Sequence, residues 1–261
     1  MKNNKFEYGD FVILIDEKDR SKMIKLKVGG RYSSQYGFID HSSIVDITDG
    51  SIVETNKGFK YKVFSPTYID YVMHLKRKAQ IVYPKDSAMI LMWADVYPGL
   101  KVLEAGIGQG ALSIAILRAL ADKGELCTYE VREDFIDMAK ETIREFLQYT
   151  ANHRIIHGNV YDGFDGVYDR IILDLPEPWH VIKHCDNGLV SGGIIVAYLP
   201  TILQVKNFVD ELKNSSMFDL IETFEVMKRP WKVDGLSVRP EMWIYNHSAF
   251  IVKARKITKN K

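Results

Sequence analysis

The stretch richest in potential chemistry is Glu104-Ala105-Gly106-Ile107-Gly108-Gln109-Gly110-Ala111-Leu112. An acid is followed by three glycines at alternate positions, and an apolar helical pattern begins directly behind them. A strand that turns sharply into a helix through glycines brings backbone N–H groups close to a ligand, because no Cβ stands in the way. The helix start adds a partial positive charge aimed at an anion. Gly106 and Gly108 keep side chains out of the approach. The N–H groups of Gln109, Gly110, Ala111 and Leu112 are the candidate donors to an anionic group. The dinucleotide fingerprint G-x-G-x-x-G would need a glycine where Ala111 stands, which argues against a nicotinamide cofactor.

Three more positions belong with this turn. Glu130 lies twenty residues beyond Gly110, where an acid at a strand end accepts both hydroxyls of a ribose. His157-Gly158-Asn159-Val160-Tyr161-Asp162 ends the next strand, and Asn159 and Asp162 are its polar candidates, both also common turn formers. Asp174 follows Ile171-Ile172-Leu173, so it emerges from a buried strand into the crevice, and Pro176 and Pro178 fix the loop behind it. A strand-end carboxylate beside a cofactor turn is a candidate for catalysis.

These residues need a sheet to hold them. From Lys101 onward strand and helix patterns alternate: strands at Lys101–Glu104, Leu126–Glu130, Arg154–Ile156, Asp169–Leu175 and Gly193–Leu199, with two last strands at Phe218–Val226 and Ser248–Ala254. Repeated βα units imply a doubly wound, mostly parallel seven-stranded α/β sheet covered on both faces, binding ligands beyond the carboxyl ends of its strands. Residues 1–65 read differently. Short alternating runs such as Phe11–Ile15, Met23–Val28, Ser51–Thr55 and Phe59–Val63, separated by glycine turns, indicate a small all-β domain. A helix starting at Ser65-Pro66 and ending in the basic triplet Lys76-Arg77-Lys78 opens the second domain, 66–261.

Composition sets the limits. The chain has 261 residues, 46% of them apolar, with a net charge of +1 that neither suggests nor excludes a nucleic-acid partner. Cys127 and Cys185 are the only cysteines, consistent with a reducing cytosol and no disulfide framework. No apolar run reaches the roughly 20 residues of a membrane span, and the first residues lack the apolar core of a signal peptide. A cytoplasmic protein with no metal is expected.

Several scattered runs share a resemblance. Ile81-Val82-Tyr83-Pro84-Lys85-Asp86, Leu103-Glu104-Ala105-Gly106, Leu173-Asp174-Leu175-Pro176-Glu177-Pro178-Trp179, Ala197-Tyr198-Leu199-Pro200 and Arg239-Pro240 with His247-Ser248-Ala249-Phe250 resemble the tRNA (adenine-N1)-methyltransferase family. The resemblance implies a Rossmann-like, S-adenosylmethionine-dependent enzyme that methylates T-loop adenines of tRNA, typically adenine 58 and in some members also 57, and that assembles as a homotetramer. It implies Asp174 as the catalytic carboxylate and Tyr83 as a residue that stacks on or positions the target base. It gives Glu104, the glycine turn, Glu130 and Asp174 to the cofactor, Val131 or Phe135 as packing beside its adenine, and Asn159 and Val160 as the reader of its base, with Asp162 as competitor to Asn159. Lys228-Arg229-Pro230-Trp231-Lys232 could serve tRNA by stacking and phosphate contact. Departures from the pattern are Ile107 and Gln109, where many members carry smaller polar residues, Asn159, where an acid is common, and Leu175, which separates Asp174 from Pro176. The alternatives are a methyltransferase acting on a protein carboxyl or a small molecule, and a non-catalytic RNA-binding subunit.

Overall fold

The computed structural model describes residues 5–76, 80–147, 150–242 and 247–258. The chain divides into two compact units, one ending at Lys76 and the other starting at residue 77.

In the first unit, β1 (Phe11–Ile15), β2 (Ser21–Lys25), β5 (Ile52–Glu54) and β6 (Lys60–Phe64) form an antiparallel sheet in the order β2-β1-β6-β5. A separate hairpin pairs β3 (Arg31–Ser34) with β4 (Gly37–Asp40). Alternation puts Val12, Leu14, Val53, Tyr61 and Val63 into one core with Phe6, Leu26, Ile39 and Ile44. The helix α1 (Tyr68–His74) belongs to this unit rather than opening the second. Tyr71 packs edge-on against Phe11 of β1, and the His74 ring meets the Ser21 hydroxyl at 3.2 Å. Its start is a reciprocal capping box between Thr67 and Asp70, two residues beyond the Ser65-Pro66 start read from the sequence. Arg77 and Lys78, expected to follow it, lie outside the described residues.

The second unit carries β7 (Lys101–Ala105), β8 (Glu125–Glu130), β9 (His153–His157), β10 (Tyr168–Leu173), β11 (Leu189–Leu199), β12 (Phe218–Glu225) and β15 (Phe250–Lys256) in one sheet, ordered β12-β15-β11-β10-β7-β8-β9. The pairs from β11 through β10, β7 and β8 to β9 are parallel, and β15 is antiparallel to both of its neighbours. Strand order reverses between β7 and β10, and this switch point is where an open α/β sheet leaves a crevice at its carboxyl edge. The helices are α2 (Pro84–Trp93), α3 (Ala111–Leu120), α4 (Glu133–Phe146), α5 (Cys185–Gly188) and α6 (Ile202–Ser215). α3 is buried at most of its positions, as its all-round apolar sequence requires, whereas α4 buries only the stripe Ile136, Ala139, Thr142 and Ile143.

Residues 84–86 are the first turn of α2, because Pro84 occupies N1 with Tyr83 as N-cap. β15 runs on to Lys256, two residues beyond the strand end read from the sequence, and the Lys256 ammonium donates to the Cys185 and Leu189 carbonyls at 2.7 Å each. β13 (Trp231–Asp234) and β14 (Ser237–Pro240) pair as a separate hairpin.

Candidate active site

The glycine turn sits at the switch point. Gly106 donates its N–H to the Tyr129 carbonyl at 3.0 Å, and Asp174 donates its N–H to the Ala105 carbonyl at 2.9 Å. The carboxyl ends of β7, β8 and β10 are thereby laced together, and Asp174 stands beside the turn on the adjacent strand. Gly106 has φ +90°, and a Cβ there would run into the Asp174 carbonyl oxygen. Its absence of side chain therefore serves the approach of two backbone segments, not the ligand space expected from the sequence. Gly108 is the position that guards open space: an added Cβ would meet nothing within 4 Å. Gly110, in the left-handed region, caps α3, and its N–H donates to the Ile107 carbonyl at 2.8 Å. The Gly110 N–H is thus spent inside the turn and is not left for an anion, contrary to the expectation.

Glu104 is wholly buried. Its Oε2 accepts hydrogen bonds from the Ser113 hydroxyl at 2.6 Å and the Thr128 hydroxyl at 2.8 Å. Its Oε1 is buried with no hydrogen-bond partner among the described residues. Burial, partly offset by the two hydroxyls and reinforced by the charges of Asp174 and Glu130, pushes its carboxyl up to about 7. An unpartnered carboxylate oxygen in such a place is where a cationic or N–H-bearing ligand group fits.

Glu130, at the end of β8, is also buried. It takes the Ile107 N–H on Oε2 at 3.1 Å, and the Val131 and Arg132 N–H groups on Oε1 at 2.8 and 2.9 Å. These bonds fix the carboxylate against the glycine turn: Oε1 already accepts two of them, so the lone pair left for a ribose hydroxyl is on Oε2, one acceptor site rather than the two expected. Val131 is exposed, and Phe135 carries the Arg132 guanidinium on its ring at 3.7 Å. Asn159 is exposed and spends its side-chain oxygen on the Tyr161 N–H at 3.1 Å, capping the short 3-10 turn Val160–Asp162. Val160 is buried below it, and Asp162 is exposed in the same turn.

Asp174 is half-buried. Burial first, and then the charge of Glu130, push its carboxyl up to about 7. Near neutral pH it can exist in either protonation state, which suits a group that answers to charge developing on a substrate.

A cluster that sequence spacing did not reveal lies on the same sheet. Asp86, wholly buried, accepts hydrogen bonds from the Lys85 ammonium at 2.7 Å, the Ser248 hydroxyl at 2.6 Å and the Tyr198 hydroxyl at 3.2 Å. Lys85 also reaches the Val226 carbonyl at 2.7 Å. The His247 ring bridges the Glu225 carboxylate and the Pro200 carbonyl at 2.9 and 3.1 Å, and both contacts raise its pKa. Three sequence runs more than forty residues apart, 83–86, 197–200 and 247–250, thus meet in one network. Only their shared membership of the resemblance motifs could have flagged it. No group of metal-ligating side chains occurs among the described residues, and no described helix is long and apolar enough to cross a membrane.

The strand order, the acidic-led glycine turn and the strand-end acids define the Rossmann-like methyltransferase class, whose methyl donor is S-adenosylmethionine. Comparison with known proteins narrows this. The family described as "tRNA methyltransferase complex GCD14 subunit" matches residues 58–255, and "TrmI-like N-terminal" matches residues 5–53. The chain belongs to this tRNA (adenine-N1)-methyltransferase family. It is 33% identical over 247 residues to the tRNA (adenine(58)-N(1))-methyltransferase TrmI of Thermus thermophilus, covering 94% of this chain and 96% of that one. Among solved structures, a SAM-dependent O-methyltransferase from Thermotoga maritima superposes with a TM-score of 0.94 at 30% identity, over 99% of this chain and 97% of that one. The tRNA (m1A58) methyltransferase TrmI of Aquifex aeolicus gives 0.87 at 26%, over 98% and 100%.

Proposed function

We propose that this chain transfers the methyl group of S-adenosylmethionine to N1 of a T-loop adenine in tRNA, the reaction for which its relatives are named at adenine 58 and, in one, also at adenine 57. The observation that carries the reading is Asp174 held on the strand beside the glycine turn by the Asp174–Ala105 hydrogen bond.

S-adenosylmethionine, when bound, supplies an electrophilic methyl on a sulfonium. The residues fit its parts. Glu104 Oε1, buried and unpartnered, suits the cationic amino group. Glu130 Oε2 suits a ribose hydroxyl, the first turn of α3 the carboxylate, and Val131, Phe135 and Asn159 the adenine. On the acceptor side, N1 of adenine has an available lone pair, so no strong base is needed before attack. Positive charge grows on the ring and its amine during transfer. Ionised Asp174 accepting a hydrogen bond from the N6 amine offsets that charge and turns N1 toward the methyl, with Tyr83 against the base. N1 lies on the Watson–Crick edge, so the base leaves its place in the folded tRNA first. Trp231, 55% exposed on the β13–β14 ribbon with Arg229 at 5.7 Å from its ring, offers stacking and charge to the RNA.

The domain reading, a small β unit followed by the catalytic unit, the homotetramer and the cytoplasmic location belong to the same proposal. Val233 and Val238, paired across the β13–β14 ribbon, are apolar and exposed, which supports self-association.

The test is mass spectrometry of nucleosides from unmodified tRNA incubated with protein and cofactor. The expected product is 1-methyladenosine in the T-loop. Label in a ribose hydroxyl, a small-molecule hydroxyl or a protein carboxyl, with none at N1, would overturn the reading.

A further inference from the structure

We propose that His153 is a positioning residue for the cofactor cradle: through Thr128 it keeps Glu104 ionised with Oε1 turned to the ligand. This rests on the assignment of Glu104 to the cofactor given above.

His153 opens β9 at the edge of the sheet far from the crevice, yet its Nε2 lies 2.8 Å from the Thr128 hydroxyl. That same hydroxyl lies 2.8 Å from Glu104 Oε2. Thr128 and Glu104 are register partners on β8 and β7, so the three groups form one chain through the sheet. A hydroxyl has a single proton to give. An ionised carboxylate can only accept, so with Glu104 charged the Thr128 proton points to Oε2. The Thr128 oxygen then accepts, and the one group placed to donate to it is His153 Nε2–H. Burial pushes the His153 ring down to about 4, so it is neutral and must hold its single proton on Nε2. The tautomer of a residue behind the sheet thus sets the direction of the hydrogen bonds that support the cofactor acid.

The surrounding charges do not substitute for it. Facing Glu104 are the hydroxyls of Ser113 from α3 and Thr128 from β8, the acids Asp174 and Glu130 that oppose its ionisation, and apolar Ile172 opposite on β10. The groove beside His153 is lined by Asp137, Lys140, Glu141 and Arg144 of α4, two of each sign. Arg154 is directed to the Cys127 sulfur at 3.5 Å.

The experiment has two arms. In the first, ¹⁵N NMR of the wild-type protein reads the His153 tautomer at pH 8.5, without and with S-adenosylmethionine. The expected form in both is Nε2–H, and an Nδ1–H form would overturn the proposal. The second compares His153→Leu with His153→Gln, whose amide keeps a donor near the Nε2 position. Losing one supporting hydrogen bond should shift the Glu104 acid constant about tenfold. Starting from a carboxyl near 7, the ionised fraction at pH 7 then falls from about one half to about one eleventh. His153→Leu should bind S-adenosylmethionine about fivefold more weakly at pH 7 and within about 1.2-fold of wild type at pH 9. His153→Gln should stay close to wild type at both. A loss equal at the two pH values, or a glutamine variant as impaired as leucine, would reduce His153 to a packing role. If wild-type protein binds no S-adenosylmethionine while His153 is Nε2–H, the cofactor assignment fails and the relay stands.

Discussion

Replacing Gly106 with alanine should damage both the fold and the chemistry, and the two costs follow from one contact. The residue sits at φ +90°, and the new Cβ would occupy the place of the Asp174 carbonyl oxygen. Holding an alanine in that backbone region costs about 1–3 kcal/mol. Relieving the collision requires the Asp174 segment to withdraw, which sacrifices the 2.9 Å bond from the Asp174 N–H to Ala105, about 1 kcal/mol more. A total near 3 kcal/mol corresponds to a drop of about 6–12 °C in the melting of the second unit. Displacing the Asp174 carboxylate by about 1 Å should lower kcat on tRNA about 100-fold. Gly108→Ala is the matched control. Its Cβ enters open space, so melting should fall by only a few degrees, whereas the dissociation constant for S-adenosylmethionine should rise at least tenfold because that space is assigned to the cofactor. Scanning calorimetry, isothermal titration and a tRNA methylation assay separate the two. A Gly106→Ala protein with wild-type melting and kcat would refute the reasoning, as would Gly108→Ala with unchanged cofactor affinity.

Glu104→Gln should remove cofactor binding and yet stabilise the free protein, in a pH-dependent way. The Glu104 carboxyl is raised, so its contribution to stability is full below the usual carboxylate range and is lost as pH rises through about 7. The glutamine variant should therefore melt several degrees above wild type at pH 8 and show no gain at pH 5 by calorimetry. The Asp174 carboxyl is likewise raised to about 7, and its ionised form is the working one. With saturating cofactor, kcat/KM for tRNA should fall about tenfold per pH unit below 6 and level off above 8, and Asp174→Asn should erase that limb along with about 100-fold or more of the rate. Asp86→Ala strands the Lys85 ammonium, which is 17% exposed, and should cost about 3–5 kcal/mol in denaturant titration. Tyr198→Phe removes a single hydroxyl and should cost about 1 kcal/mol.

The sheet was legible because β strands buried on both faces leave unbroken apolar runs, as in Ile171-Ile172-Leu173, and because glycines and acids at their ends break the pattern sharply. Glu104, Glu130 and Asp174 all stand at those ends, and the fold gathers them at one switch point. The glycines were legible as a turn, but their separate duties were not. That Gly106 yields to the Asp174 backbone and Gly108 to open space depends on a strand seventy residues away. The Asp86 network was hidden for the same reason, since Asp86, Tyr198 and Ser248 meet only after the antiparallel β15 returns beside β11. The β13–β14 ribbon is hard to see in the sequence because Lys228–Lys232 is polar and broken by Pro230, and its alternation becomes visible only across the hairpin. α1 was assigned to the wrong side of the unit boundary because capping signals fix where a helix starts, not what it packs against.

The most direct test is to assay Asp174→Ala on T-loop adenosine in tRNA while measuring its affinity for S-adenosylmethionine. The expected result is retained cofactor binding with 1-methyladenosine formation reduced at least 100-fold. Undiminished N1 methylation with cofactor bound would contradict the role assigned to Asp174.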